Sequence, residues 1–156
     1  MKKIELRELA DNQIPPYFEE LWEKYRAELI EAGFSPGYAG ENVEQSKKSL
    51  TPNGELEPGN YIFYAYSENR MVGQLWLASK ERDGKCEWSI FDIETFSEFR
   101  GKGFGRAIML AAEEYVRDAG GDEISLSVFG KNTVARKLYE SLDYQTLRVG
   151  MKKVLK

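Results

Sequence analysis

Apolar positions recur along this chain at two spacings, and the spacing changes several times between the ends. In "KKIELREL" Ile4 and Leu6 alternate with charged residues, the period of a short first strand. "PYFEELWEKYRAELIEAG" then sets Phe18, Leu21, Trp22, Tyr25, Leu29 and Ile30 on one helical stripe. Pro16 stands at its start and Gly33 just past its end, the usual punctuation of a helix. A more polar helix is predicted from about Glu41 to Leu50, followed by the turn-rich "TPNGELEPGN". The centre returns to period two. "NYIFYAYS" and "MVGQLWLASK" are aromatic and β-branched runs joined by "ENR", a tight hairpin loop, and "DGK" turns the chain into "CEWSIFDIET". A helix follows from about Gly103 to Ala119, ended by Gly120 and Gly121. "EISLSVF" is a strand, "NTVARKLYESL" a helix, and "YQTLRVGMKKVL" the closing one or two strands.

The predicted order is β-α-α-β-β-β-α-β-α-β. That makes an α+β fold with helices layered on a mixed, mostly antiparallel sheet of six to seven strands and about four helices. No repeat, low-complexity tract or dividing linker interrupts the 156 residues, so a single domain, 1–156, is expected.

Composition changes this picture in three ways. A net charge of −4, with both signs interspersed, argues against a nucleic-acid surface, which wants a clustered basic face. No apolar run approaches the roughly 18 residues that cross a bilayer. The start "MKKIELRELADNQIPP" has no apolar core of a secretory signal, and there is one cysteine, Cys86. A cytoplasmic protein is therefore expected. There are no histidines, which removes histidine-based nucleophilic triads and histidine metal sites. Acid–base chemistry near neutrality falls to carboxylates, tyrosines, lysines, the thiol or water, and no metal is expected. Cys86 lies early in a strand without a base near it in sequence and reads as an inert thiol.

The chemistry concentrates in "EFRGKGFGRAIMLAAEEYV", where Gly101, Gly103 and Gly105 fall within five positions at the mouth of a helix. Glycine has the most backbone freedom to lose on folding, and one would suffice for a turn. A glycine-rich strand-to-helix turn leaves backbone N–H groups facing outward at the positive end of the helix dipole, a site for phosphate. Lys102 and Arg106 add charge. A Walker loop fails because Gly103, not Ser or Thr, follows Lys102. A dinucleotide fingerprint fails too, because its third glycine would fall on Arg106 or Ile108. Arg100-x-x-Gly103-x-Gly105 after a strand remains.

In that stretch the chain resembles the GCN5-related N-acetyltransferase superfamily. "DIETFSEFRGKGFGRAIMLAAEEY" is similar to its acetyl-CoA-binding motif, and "LSVFGKNTVARKLYESLDY" to the signature that follows it. The resemblance runs from roughly Met71 to the C-terminus and is greatest to small bacterial members of unassigned substrate. It implies a three-layer α/β/α sandwich and direct acetyl transfer from acetyl-CoA to a primary amine in a ternary complex.

By resemblance, the backbone of Gly101, Lys102, Gly103, Phe104, Gly105 and Arg106 cradles the diphosphate of coenzyme A, the Phe104 side chain going to the helix core. Arg100 either pairs with a phosphate or braces the turn. Thr95 ends a strand that splays from "EISLSVF", and the pantetheine arm lies in the gap, bonded to backbone groups near it. Asn132 contacts pantetheine, caps the helix, or does both. Tyr139, seven residues on and two turns along the same face, is the expected general acid for the departing thiolate. Asp92 and Glu94 alternate onto one strand face, and Glu94 is either the general base or a carboxylate that binds a cationic acceptor. The family is compatible with a small-molecule, peptide or protein amine as acceptor. A homodimer through the aromatic strands or the last strand is the expected assembly. Two rivals stand against this reading: an inactive acyl-CoA-binding sensor or scaffold with the same fold, and a nucleotide-binding protein of another class.

Overall fold

The computed structural model describes residues 2–156. Its elements are β1 (Glu5–Glu8), α1 (Ile14–Glu31), α2 (Pro36–Leu50), β2 (Asn60–Ser67), β3 (Arg70–Arg82), β4 (Lys85–Thr95), α3 (Phe104–Asp118), β5 (Ile124–Leu126) and α4 (Thr133–Ser141). The strands form one sheet in chain order, β1-β2-β3-β4-β5. Each neighbour pair is antiparallel except β4 with β5, which run parallel because α3 carries the chain back between them.

Helices cover both faces, and period-two alternation divides the sheet residues between them. On one face Phe63, Ala65, Leu75, Leu77 and Ile90 pack against Ile108, Met109, Ala112 and Val116 of α3. On the other, Ile62 and Trp76 meet Tyr17, Phe18 and Trp22 of α1 and Val43 of α2. The three-layer sandwich is thus held by two separate cores. Among the described residues no helix is long and apolar enough to cross a membrane.

Local signals explain most of the boundaries. The β2–β3 turn uses Glu68 and Asn69, both at positive φ, the conformation that a two-residue hairpin matched to strand twist requires. α2 begins five residues before its predicted start, because the Ser35 hydroxyl accepts the Tyr38 N–H and Pro36 occupies the first turn. Gly37 and Gly40 disguise that turn in the sequence.

The strand count differs from expectation, five among the described residues instead of six to seven. "YQTLRVGMKKVL" forms no ladder, and Leu147, Val149, Met151 and Leu155 are largely exposed. Its alternation is strand-like, but a strand needs a partner edge. The segment is tied at its ends instead. The Tyr144 N–H donates to Tyr139 O, and Lys152 reaches Gly33 O and the Phe34 ring. β5 is shorter than "EISLSVF" because it leaves β4 after Leu126.

Candidate active site

Two features of β4 build the site. The first is a bulge: Trp76 pairs with Asp92 and Leu77 with Ile90, leaving Phe91 extra. Before it, Trp88 and Ile90 face α3. After it, Ile93 packs into that same core while Asp92 and Glu94 face α1. The second is divergence. β4 meets β5 only at Trp88–Ile124, Ser89–Ser125 and Ile90–Leu126, so from Phe91 to Thr95 the β5-side edge of β4 has no ladder partner among the described residues.

The chain then makes a one-turn helix, Ser97–Phe99, and enters the glycine turn. Gly101 and Gly103 have φ of 71° and 85°, the left-handed region that glycine enters without strain. Gly103 is the N-cap of α3 and supplies no side-chain cap, so the first N–H groups of this 15-residue helix open outward. A Cβ at Gly105 would sit 3.3 Å from both Thr95 Oγ1 and Leu138 Cδ2, which packs the helix start against the end of β4 and against α4.

The basic side chains of the turn point in several directions. Arg100 Nε donates to Thr95 O at 3.0 Å, and its terminal nitrogen lies 3.4 Å from Glu94 Oε1, so it braces the end of β4. Lys102 Nζ donates to Glu98 O at 3.1 Å. Arg106 donates to Ser141 Oγ at 3.0 Å, joining the start of α3 to the end of α4. Phe104 stacks edge-on to Phe99 beneath the turn. Asn132 is the N-cap of α4, its Oδ1 accepting the Ala135 N–H at 3.2 Å.

Tyr139 lies two turns beyond Asn132, half-buried against the α3-side core. Burial, and then the charge of Asp92, push its phenol above the ordinary tyrosine range, so it holds its proton at neutral pH.

Sequence reasoning missed what α1 contributes. Tyr17 donates its hydroxyl to Asp92 Oδ2 at 2.6 Å, and Gln74 of β3 donates to the same oxygen at 2.7 Å. Burial raises Asp92, against the opposing pull of Tyr17, Lys24 and Gln74. Lys24 Nζ lies 3.1 Å from Glu94 Oε2, so Glu94 holds a cation on each oxygen, Lys24 on one and Arg100 on the other. Glu28, one turn past Lys24, is raised by burial and feels the same charges. Tyr17, Lys24 and Glu28 are spaced seven and four apart, one helix face, and that polar interruption of an apolar stripe was the available signal. Cys86 is exposed and pairs across to Glu81, at the far end of β4.

The model of the acetyltransferase (GNAT) family matches residues 14–144. The uncharacterized N-acetyltransferase YycN of Bacillus subtilis (strain 168) is 29% identical over 154 residues, which cover 97% of this chain and 99% of that protein. A second Bacillus subtilis relative, the uncharacterized N-acetyltransferase YdgE, is 29% identical over 118 residues, 75% of each chain. The crystal structure of YycN superposes with a TM-score of 0.90, covering 99% of both chains.

Proposed function

The chain belongs to the acetyltransferase (GNAT) family, and from that premise we propose that it transfers the acetyl group of acetyl-CoA to a primary amine by direct attack. The observation that carries the reading is the uncapped start of α3, preceded by two left-handed glycines and set against the open edge of β4. Outward N–H groups at the positive end of a helix suit a diphosphate. An open strand edge suits an extended arm with amide groups, which adds hydrogen bonds as a further strand would. In this reading the N–H groups of 103–106 hold the diphosphate, the β4 edge holds the pantetheine arm, and Asn132 borders it from α4.

The reaction needs an amine without its proton, a polarised thioester and a proton for the departing thiolate. Glu94 takes the proton from the acceptor ammonium and Tyr139 supplies one to sulfur, each group held in geometry by its neighbours. Backbone N–H groups near Thr95 stabilise the oxyanion. The carboxylates facing α1 favour a cationic acceptor. The inactive-sensor alternative is weakened by the protonated, half-buried Tyr139 facing the field of Asp92, an arrangement that a pure binding module does not need.

The test is calorimetric titration of coenzyme A into wild type and Gly103→Asp. Aspartate tolerates the left-handed region better than most residues, so the turn survives while a carboxylate enters the anion site. Micromolar or tighter binding by wild type, lost in the variant, is expected. Equal binding by both would remove the glycine turn from the reading, and no binding by either would remove coenzyme A.

A further inference from the structure

The amine nearest the proposed base belongs to the chain itself. Lys24 Nζ sits 3.1 Å from Glu94 Oε2. The Lys24 charge also acts on Asp92 and Glu28, which places the ammonium among three carboxylates. Its position is set by α1. Tyr17, two turns earlier on the same face, is fixed to Asp92, so the helix delivers Lys24 to the stretch of β4 whose other edge is open. The Lys24 side chain is 39% exposed, which leaves it room to move. Other lysines are engaged elsewhere: Lys47 with Glu44 on the surface of α2, Lys102 with Glu98 O, and Lys131 with Glu31 O.

Building on the acetyl-CoA reading above, we propose that Lys24 is an acceptor of this site, acetylated on Nζ by its own molecule. Glu94 takes one proton from the ammonium, and the freed nitrogen pair attacks the thioester carbonyl carbon. A C–N bond forms, the C–S bond breaks as the tetrahedral intermediate collapses, and nitrogen loses a second proton. The thiolate of coenzyme A receives a proton from Tyr139. The products are acetyl-Lys24, the coenzyme A thiol and one proton released to solvent. Acetylation abolishes the positive charge of Lys24, so Glu94 loses one of its two cations and becomes open to an external ammonium. The step is then a single-turnover event that unmasks the acceptor side of the site.

The experiment incubates the full chain with acetyl-CoA and no other amine, follows each lysine by peptide mass spectrometry, and measures coenzyme A binding on the same preparation. Lys24 is expected to be modified at least about a hundredfold faster than Lys47 or Lys48, the low end of what a positioned base supplies. The rate per molecule should not change with protein concentration. Glu94→Gln and Tyr139→Phe, each shown to be folded by its unfolding transition, should bring Lys24 down toward the surface lysines while leaving those lysines unchanged. Coenzyme A binding with Lys24 modified no faster than its neighbours, or modified equally in both variants, overturns the proposal and leaves the acetyl-CoA reading standing. Absence of both binding and modification overturns the two together.

Discussion

Gly73 lies in β3 opposite Thr95, buried where β3 and β4 run under α3. A Cβ there would sit 2.7 Å from Ile108 Cδ1 and closer still to the Glu94 carbonyl oxygen, both inside the 3.0 Å that real Cβ atoms essentially never breach. Gly73→Ala therefore drives β4 away from β3 at the residue that carries the proposed base. The Ile108 contact is with a side-chain end and can be relieved, whereas the carbonyl is backbone and can move only with its strand. Overpacking of this kind costs about 1–3 kcal/mol. A displacement of about 1 Å at the reacting groups can lower the rate about a hundredfold.

The two effects can be separated. Ile108→Val deletes Cδ1 and by itself costs about 0.5–1.5 kcal/mol. Combined with Gly73→Ala it should be less destabilising than the two single changes added, because they share one clash. It should not restore the rate, because the carbonyl clash persists. Urea unfolding, read from Trp22, Trp76 and Trp88, gives the stabilities, and thiol release from acetyl-CoA with an amine acceptor gives the rates. Gly73→Ala with stability within about 0.5 kcal/mol of wild type and an unchanged rate would refute the claim that an absent side chain in β3 positions Glu94. Full recovery of rate in the double variant would refute the division between the two contacts.

Two further predictions concern protons. Burial raises the Asp92 carboxyl, so between its unfolded and folded values the folded chain binds the extra proton, and stability falls as pH rises through that window. Asp92→Asn should therefore gain on wild type in neutral solution and lose that advantage below the ordinary aspartate value of about 3.9; a gap that instead widens against the variant with rising pH contradicts this. Tyr139→Phe should lower kcat by about 10²–10⁴-fold while the Kd for coenzyme A stays the same. The wild-type rate should hold on the alkaline side past the ordinary tyrosine value of about 10, because burial and Asp92 keep the phenol protonated.

Much of this architecture is legible in the sequence. The stripes of α1, α3 and α4, the "ENR" hairpin and the glycine turn are local, and each is legible because its residues determine their own backbone. Asp92 and Glu94 on a common face follow from alternation alone. Three things are not legible, for one reason. The approach of Tyr17 and Lys24 to β4 joins residues about seventy positions apart, and no periodicity carries that information. The bulge at Phe91 has no glycine or proline to announce it. The final segment has the alternation of a strand, but whether a strand forms depends on an edge elsewhere in the chain. Arg100 has two possible roles in the sequence, and the contacts of its guanidinium with Thr95 O and Glu94 decide for the brace.

The extra residue at Phe91 also constrains how the chain can change in length. Up to Ile90 the even-numbered residues of β4 belong to the α3 side, and from Asp92 onward they belong to the α1 side. One unpaired residue thus acts as a parity switch, and the site lies downstream of it. Removing any single residue between the bulge and Thr95, or adding one, would exchange the two sets: carboxylates would enter the Ile108 and Met109 core, and Ile93 would face Lys24. Substitutions in this strand can be graded and repaired one at a time, but a change of frame cannot. Over evolutionary time the residues of this stretch are free to vary in identity far more than in number, and length variation should collect in the turns at either end of the strand.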